Sequence, residues 1–286
     1  MIAITGITGK LGSLVLQELL GKESVSQVIG LARTPENAKK FAQQGVEIRP
    51  FNFDDPHGLS QSLSGIRTLL LVSGTDIGPR VQQHKNVIDA AIKAKVNRIV
   101  YTSIVIAGKR PEPIFQDHKL TEDYIKGKPI TFTILRNNYY MDPYLVEIDI
   151  AIEKGAYRSP NGTEGAALIS RKDISRACAE VLLSDKHAGK IYELTGTKKV
   201  TPQDFAAIAS SLSGKEISYE KISFEDLKND YLNRGYPKEH MPFLILLEEV
   251  IASASLSKTS QDFETITGTK PESFEKFVYR QKESKD

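Results

Sequence analysis

Two hydrophobic patterns take turns along the chain. Short, mostly apolar stretches at 1–4, 25–31, 68–72, 98–103 and 131–135 read as strands, and the nearly unbroken run at 68–72 has the continuity of a strand buried on both faces of a parallel sheet. Between them apolar residues recur at helical spacing. Leu11, Leu14, Val15 and Leu19 form one such stripe, and Val81, Val87, Ile88, Ala91 and Ile92 form another across 79–95. Residues 35–43 and 115–126 read as further helices, and 46–48 as a short strand. The alternation predicts an α/β fold on a doubly wound parallel sheet.

Past residue 140 the rhythm changes. Thr201-Pro202-Gln203-Asp204 and Ser223-Phe224-Glu225 have the composition of helix starts, and 190–194 and 216–222 read as strands. The expected organisation is a domain at 1–140 to which 164–196 returns, with 141–163 and 197–286 forming a smaller, mostly helical lobe. Lysines crowd 270–285, but acids are interleaved, so that stretch reads as a solvated helix.

The first strand ends in Gly6-Ile7-Thr8-Gly9-Lys10-Leu11-Gly12, with glycines spaced three apart, and helical periodicity follows. Such a turn is a phosphate cradle. Gly6 can leave the strand, Gly9 has no Cβ to hold a diphosphate away, and Gly12 lets helix and strand approach closely. The amides and dipole of the helix start then face an anion. About 20 residues further on, where an acid would bind the ribose 2′-hydroxyl of NAD, stands Arg33. Its guanidinium fork suits a 2′-phosphate, with Lys10 as a second cation, and so favours NADP, with NAD as the lesser alternative.

Other positions follow from the same geometry. Asn52 and Phe53 could hold an adenine, although Phe53 fits core packing equally well, and Asp54 or Asp55 caps the next helix. Ser73, Gly74 and Thr75 form the exit of the fourth strand, where a ligand of such a sheet is bordered, and Thr102 and Ser103 end the fifth. His84 reads as a helix-surface or packing histidine. No second ligand stands at metal-binding spacing from it, so no metal site is expected.

Composition narrows the class. A chain of 286 residues can bury a large core, and 38 basic against 36 acidic residues, a formal charge of +2, argue against a nucleic-acid surface. No apolar run is long enough to span a membrane, and the glycine turn starts too early for a signal peptide, so the expected location is cytoplasmic. The single cysteine, Cys178, lies on an apolar helical face with Ile174 and Val181 and fits buried packing in a reducing compartment.

Thr5 to Gly12, Ala32-Arg33, Gln83-His84-Lys85-Asn86-Val87, Tyr101-Thr102-Ser103 and Leu135-Arg136-Asn137-Asn138-Tyr139-Tyr140 together resemble the NmrA-like group of atypical short-chain dehydrogenases. Within it the chain is most similar to the bacterial NAD(P)H:quinone oxidoreductases of type 2 and the triphenylmethane dye reductases. The resemblance implies a Rossmann-type domain and a cofactor lined by Gly6 to Gly12, Arg33, the 73–77 loop, and Asn137, Asn138, Tyr139 and Tyr140. It also implies a small aromatic or quinone-like substrate, for which Tyr140, Met141, Tyr144 and Phe243 offer walls. Oligomeric state is not legible.

Ordinary short-chain dehydrogenases pair a tyrosine acid with a lysine four residues on. The one such spacing here, Tyr124 and Lys128, is interrupted by Gly127 and followed by Pro129, so the lysine should fall past the helix end. The resemblance puts His118 and Glu122 in that place, making His118 the candidate catalytic group for polarising or protonating an acceptor, beside a purely structural reading. Hydride transfer to a quinone needs less proton help than ketone reduction. The chain is therefore expected to be an NADPH-dependent oxidoreductase acting on flat conjugated acceptors. Two alternatives remain: a non-catalytic dinucleotide-sensing regulator, and a reductase of another activated double bond, for which Lys119 stands out of place.

Overall fold

The computed structural model describes residues 1–22 and 25–283. The chain divides into two compact units: 1–137 with 171–194 and 262–269, and 138–170 with 195–261 and 270–286. The first contains, numbered along the whole chain, β1 (Ile2–Thr5), α1 (Lys10–Leu20), β2 (Val28–Ala32), α2 (Lys39–Ala42), β3 (Glu47–Pro50), α3 (Pro56–Ser62), β4 (Thr68–Leu71) and α4 (Arg80–Lys93). It continues with β5 (Arg98–Ile104), α5 (Pro113–Lys126), β6 (Thr131–Asn137), α7 (Arg171–Leu183), β8 (Ile191–Leu194) and α11 (Asp262–Thr267). The second contains α6 (Leu145–Lys154), β7 (Ala156–Ser159), α8 (Pro202–Ser213), β9 (Ser218–Lys221), α9 (Phe224–Asn233), α10 (Met241–Ala252) and α12 (Phe274–Glu283).

In the first unit seven strands form one parallel sheet in the order β3-β2-β1-β4-β5-β6-β8. Leu59 and Leu63, Val87, Ile88 and Ala91, and Ile125 bring α3, α4 and α5 onto the side chains of Leu69, Leu71, Ile99 and Tyr101. α1 and α7 pack together, α1 against β1 and β2, and α7 against β5 and β6. Helices on both faces explain the unbroken apolar strands: every residue of β2 and β4 is buried. The order also fixes where a ligand belongs. The chain winds outward from β1 through β3, returns to place β4 on the other side of β1, and continues to β8, so the topological switch lies between the exits of β1 and β4.

Several boundaries differ from expectation. Residues 25–27 form a 3-10 turn, and β2 starts at Val28, where pairing with Ile2 begins. The 35–43 helix splits into a 3-10 turn, Pro35–Ala38, and α2. The first unit ends at Asn137 rather than 140, because β6 stays paired with β8 through Asn137 and Leu194. It resumes at 171 rather than 164, since Ala166 and Val200 exchange backbone hydrogen bonds within the second unit. It also recovers 262–269, where Asp262 accepts the Glu193 amide at 2.7 Å.

The second unit carries a two-stranded parallel sheet, β7 with β9. Capping boxes start α8 at Thr201 with Asp204 and α9 at Ser223 with Asp226. Its core includes Phe205, stacked on Tyr157 at 4.7 Å and in contact with Phe274 at 4.7 Å. That contact corrects the reading of 270–285 as merely solvated, because α12 buries Phe274, Phe277 and Val278; Lys285 lies outside the described residues. Among the described residues no helix is long and apolar enough to cross a membrane.

Candidate cofactor and active site

At the β1 exit Gly6 adopts φ +63°, and its carbonyl accepts the Gly9 amide at 2.9 Å. A Cβ on Gly12 would stand 2.3 Å from the Gly6 oxygen, so the approach of helix and strand requires glycine there. A Cβ on Gly9 would meet the same oxygen at 3.2 Å. Gly9 is the N-cap of α1 without a side-chain cap, and no acid occupies the first turn, leaving the amide groups and the positive helix end for an anion. Gly6, Thr8, Gly9 and Lys10 are exposed. Ile7 and Leu11 are buried, so from these two positions only backbone can serve a ligand.

Arg33, just beyond β2, is exposed and borders a hollow of about 460 Å³ with Arg49, Phe51, Asn52, Asp55 and Ser62 among its walls. Arg49 is committed, its Nε to Glu47 and its Nη1 to the carbonyls of Ser62 and Ser64. Among the described residues Arg33 has no ion-pair partner, which leaves its fork available. Asp55 caps α3 by accepting the His57 amide at 3.2 Å. Phe53 does not line the hollow. Its ring lies edge-on to Phe51 at 5.8 Å and to His84 at 6.3 Å, half-buried against the core, so the packing role is the one the geometry displays.

The β4 exit is held by side chains. The amides of Val72, Ser73 and Gly74 donate to Thr5 Oγ1 at 2.9 Å, Thr102 Oγ1 at 2.9 Å and His84 Nε2 at 3.1 Å. The glycine turn, Ser73 to Thr75 and Thr102 are thereby gathered about the switch point. Thr5, His84 and Thr121 were missed as site residues. His84 is fully buried, not at the helix surface, because the core-facing stripe of α4 runs through Arg80, Gln83, His84 and Val87. Polar residues at i, i+3 and i+4 leading into an apolar stripe were the signal.

His118 and Glu122 hold separate hydrogen-bond partners. His118 Nδ1 lies 2.9 Å from the Tyr101 hydroxyl, and burial, with Arg80 adding, pushes its pKa down to about 3. The ring is neutral at physiological pH and brings no imidazolium to an acceptor. Glu122 is fully buried and accepts from Ser103 Oγ at 2.7 Å and from Arg136 Nε and Nη2 at 2.9 and 2.7 Å. Burial alone would raise its pKa, but these hydrogen bonds outweigh it and keep the carboxyl below its ordinary range. Ser103 is thus tied to α5. Tyr124 and Lys128 both contact Asp89, at 2.7 and 2.9 Å, with the lysine beyond the end of α5.

Asn137, at the end of β6, is buried, and neither amide atom has a partner among the described residues. Both atoms are closed off from solvent. In the second unit Asn138 donates to the Leu256 carbonyl at 3.0 Å and accepts the Tyr139 amide at 2.8 Å. The Tyr139 carbonyl accepts from Ile169, and Tyr140 bridges to Ile169. Met141 is 1% exposed, and its amide donates to the Ile169 carbonyl. Tyr144 lines a cavity of about 10 Å³ with Tyr157, Asn161, Phe205 and Glu248, room for about one water and not for a conjugated ring. There Glu248 accepts from Asn161 Nδ2 at 2.7 Å, and burial pushes its carboxyl up to about 7. Phe243 is exposed on α10.

Residues 1–283 match the profile of the NmrA-like family. The chain belongs to that family. This NmrA-like protein is 36% identical over 237 residues to quinone oxidoreductase 2 of Escherichia coli strain K12, covering 83% of each chain. Its fold matches Citrobacter sp. triphenylmethane reductase complexed with NADP(H) at a TM-score of 0.93 and 33% identity, covering 98% of this chain and 99% of that one. The NADPH-dependent quinone oxidoreductase of Escherichia coli complexed with NADPH gives 0.92 and 32%, covering 98% and 99%.

Proposed function

We propose that this NmrA-like protein is an NADPH-dependent oxidoreductase that passes a hydride to a quinone or similar flat conjugated acceptor. The observation that carries the reading is the uncapped glycine turn at the switch point with Arg33 on the neighbouring strand exit, in a chain similar to NADPH-dependent reductases of quinones and triphenylmethane dyes. The residues present fit the dinucleotide: the α1 amides would hold the pyrophosphate, Arg33 with Lys10 the 2′-phosphate, and Ser73 to Thr75 the opposite wall. When bound, the reduced nicotinamide supplies the hydride.

The chain's part is binding, orienting and screening. Neither His118, held neutral, nor Glu122, tied to Arg136 and Ser103, is poised to give up a proton. That suits an acceptor whose incoming negative charge spreads over a conjugated ring and whose oxygens water can protonate. Tyr140, half-buried, and Phe243, exposed, are the aromatic candidates for its walls. Loss of NADPH absorbance on adding benzoquinones or a cationic triphenylmethane dye tests the proposal. Tight NADPH binding with no turnover on any of them would instead favour a dinucleotide sensor, the reading that the missing tyrosine–lysine pair suggests.

A further inference from the structure

Two partners dictate the protonation of His84. The Gly74 amide can only donate, so Nε2, 3.1 Å away, must present a lone pair. On the other side Nδ1 lies 3.0 Å from Thr121 Oγ1. That hydroxyl has one hydrogen, and it points at the Asp117 carbonyl one helical turn back, at 2.8 Å. The oxygen therefore accepts from the ring, and Nδ1 carries the proton. This is the minor tautomer of a solvated histidine. The ring has no exposed surface and is wedged edge-on between Tyr101 at 5.5 Å and Phe53 at 6.3 Å, so no water can exchange the two forms in place.

What the lone pair holds is the third of three consecutive amides at the β4 exit. The first two are taken by Thr5 and Thr102, from the strands on either side of β4. A hydroxyl always keeps a lone pair to offer an amide, whereas Nε2 presents either a proton or a lone pair, and that choice is made by a hydroxyl on α5. A proton on Nε2 would set two donors against each other at Gly74 and push the loop off its place.

We propose that His84, locked as its Nδ1–H tautomer by Thr121, is a positioning residue that sets the Ser73 to Thr75 loop for the dinucleotide. The proposal rests on the cofactor reading above for its consequence, but not for the lock itself.

Nitrogen-15 NMR of the full chain without cofactor reads the lock directly. The expected spectrum shows a protonated Nδ1 and a bare Nε2 for His84, unchanged from about pH 5.5 to about pH 8. A protonated Nε2 in the wild-type chain overturns the proposal. Thr121→Val removes the acceptor and should raise the NADPH Kd about tenfold, and Thr121→Ser should restore both affinity and tautomer. His84→Gln, which keeps an acceptor where Nε2 stands, should retain affinity, whereas His84→Leu should lose it about tenfold, giving the same comparison if Thr121→Val does not fold. His84→Leu binding NADPH as tightly as the wild type overturns the proposal. Arg33→Ala separates the two claims: if it too leaves NADPH affinity unchanged, the cofactor reading has failed, while the NMR result still judges the lock.

Discussion

Glu248 offers a sharp test of the packing in the second unit. Its carboxyl is buried among Tyr144, Tyr157 and Phe205 with Asn161 as hydrogen-bond donor, and Glu147 adds repulsion, so it titrates near 7 rather than 4.5. The folded chain then holds a proton that the unfolded chain has released. The stability this group contributes is fully present below about pH 4.5 and is lost as pH rises to about 7, at about 1.4 kcal/mol per pH unit, or about 3 kcal/mol in all. His84 and His118 act with the opposite sign. Both are neutral when folded, with pKa values of about 3, so they cost stability as pH falls below the ordinary histidine range near 6.5. The wild-type curve mixes the two effects, and Glu248→Gln separates them. Glutamine cannot ionise and keeps an acceptor for Asn161 Nδ2. Urea unfolding near pH 8 should show the variant more stable by about 1–3 kcal/mol, with the difference shrinking toward zero or reversing near pH 5. A difference of the same size and sign at both pH values would refute the buried-proton argument.

Three further outcomes follow from the first unit. Arg33→Asp should weaken NADPH binding by about thirtyfold or more while leaving NADH within about threefold, measured by fluorescence titration; equal losses would show that the arginine does not read the 2′-phosphate. Gly12→Ala forces a Cβ to 2.3 Å from the Gly6 oxygen and should cost about 2 kcal/mol or more in unfolding free energy and abolish tight cofactor binding, so wild-type melting and affinity would contradict the close approach. His118→Gln should leave the single-turnover hydride-transfer rate within about threefold, because a histidine titrating near 3 supplies no proton at neutral pH, and a hundredfold loss would give it back a chemical role.

What the sequence disclosed and what it concealed divide along one physical line. Backbone requirements write themselves into residue type: the glycine turn, the Thr201 and Ser223 caps and the Leu69-Leu70-Leu71 strand were all readable, because each needs only its neighbours in the chain. Long-range polar pairs do not. His84 and Thr121 stand 37 residues apart, and Asn161 and Glu248 stand 87 apart, so nothing local marks them as partners. Where apolar positions are sparse among charges, the charges mask the stripe. Phe274, Phe277 and Val278 sit at i, i+3 and i+4, the spacing of a buried stripe, within a stretch dominated by lysine and glutamate. Glu122 shows a third kind of concealment, since its spacing from His118 was right for a pair and only the fold revealed that Arg136 had claimed it.

The central claim is that hydride moves directly from NADPH to a conjugated acceptor in a site where the chain orients and does not donate the proton. Anaerobic single turnover with NADPH carrying deuterium at C4 tests it most directly. The account predicts deuterium transfer from one face of the nicotinamide only, a primary isotope effect on the oxidation of NADPH by a benzoquinone or a triphenylmethane dye, and a rate nearly flat from about pH 6 to about pH 8, since no protein acid titrates in the transfer step. Stoichiometric NADPH binding with no oxidation by any such acceptor, or a rate that falls tenfold per pH unit across that range, would contradict it.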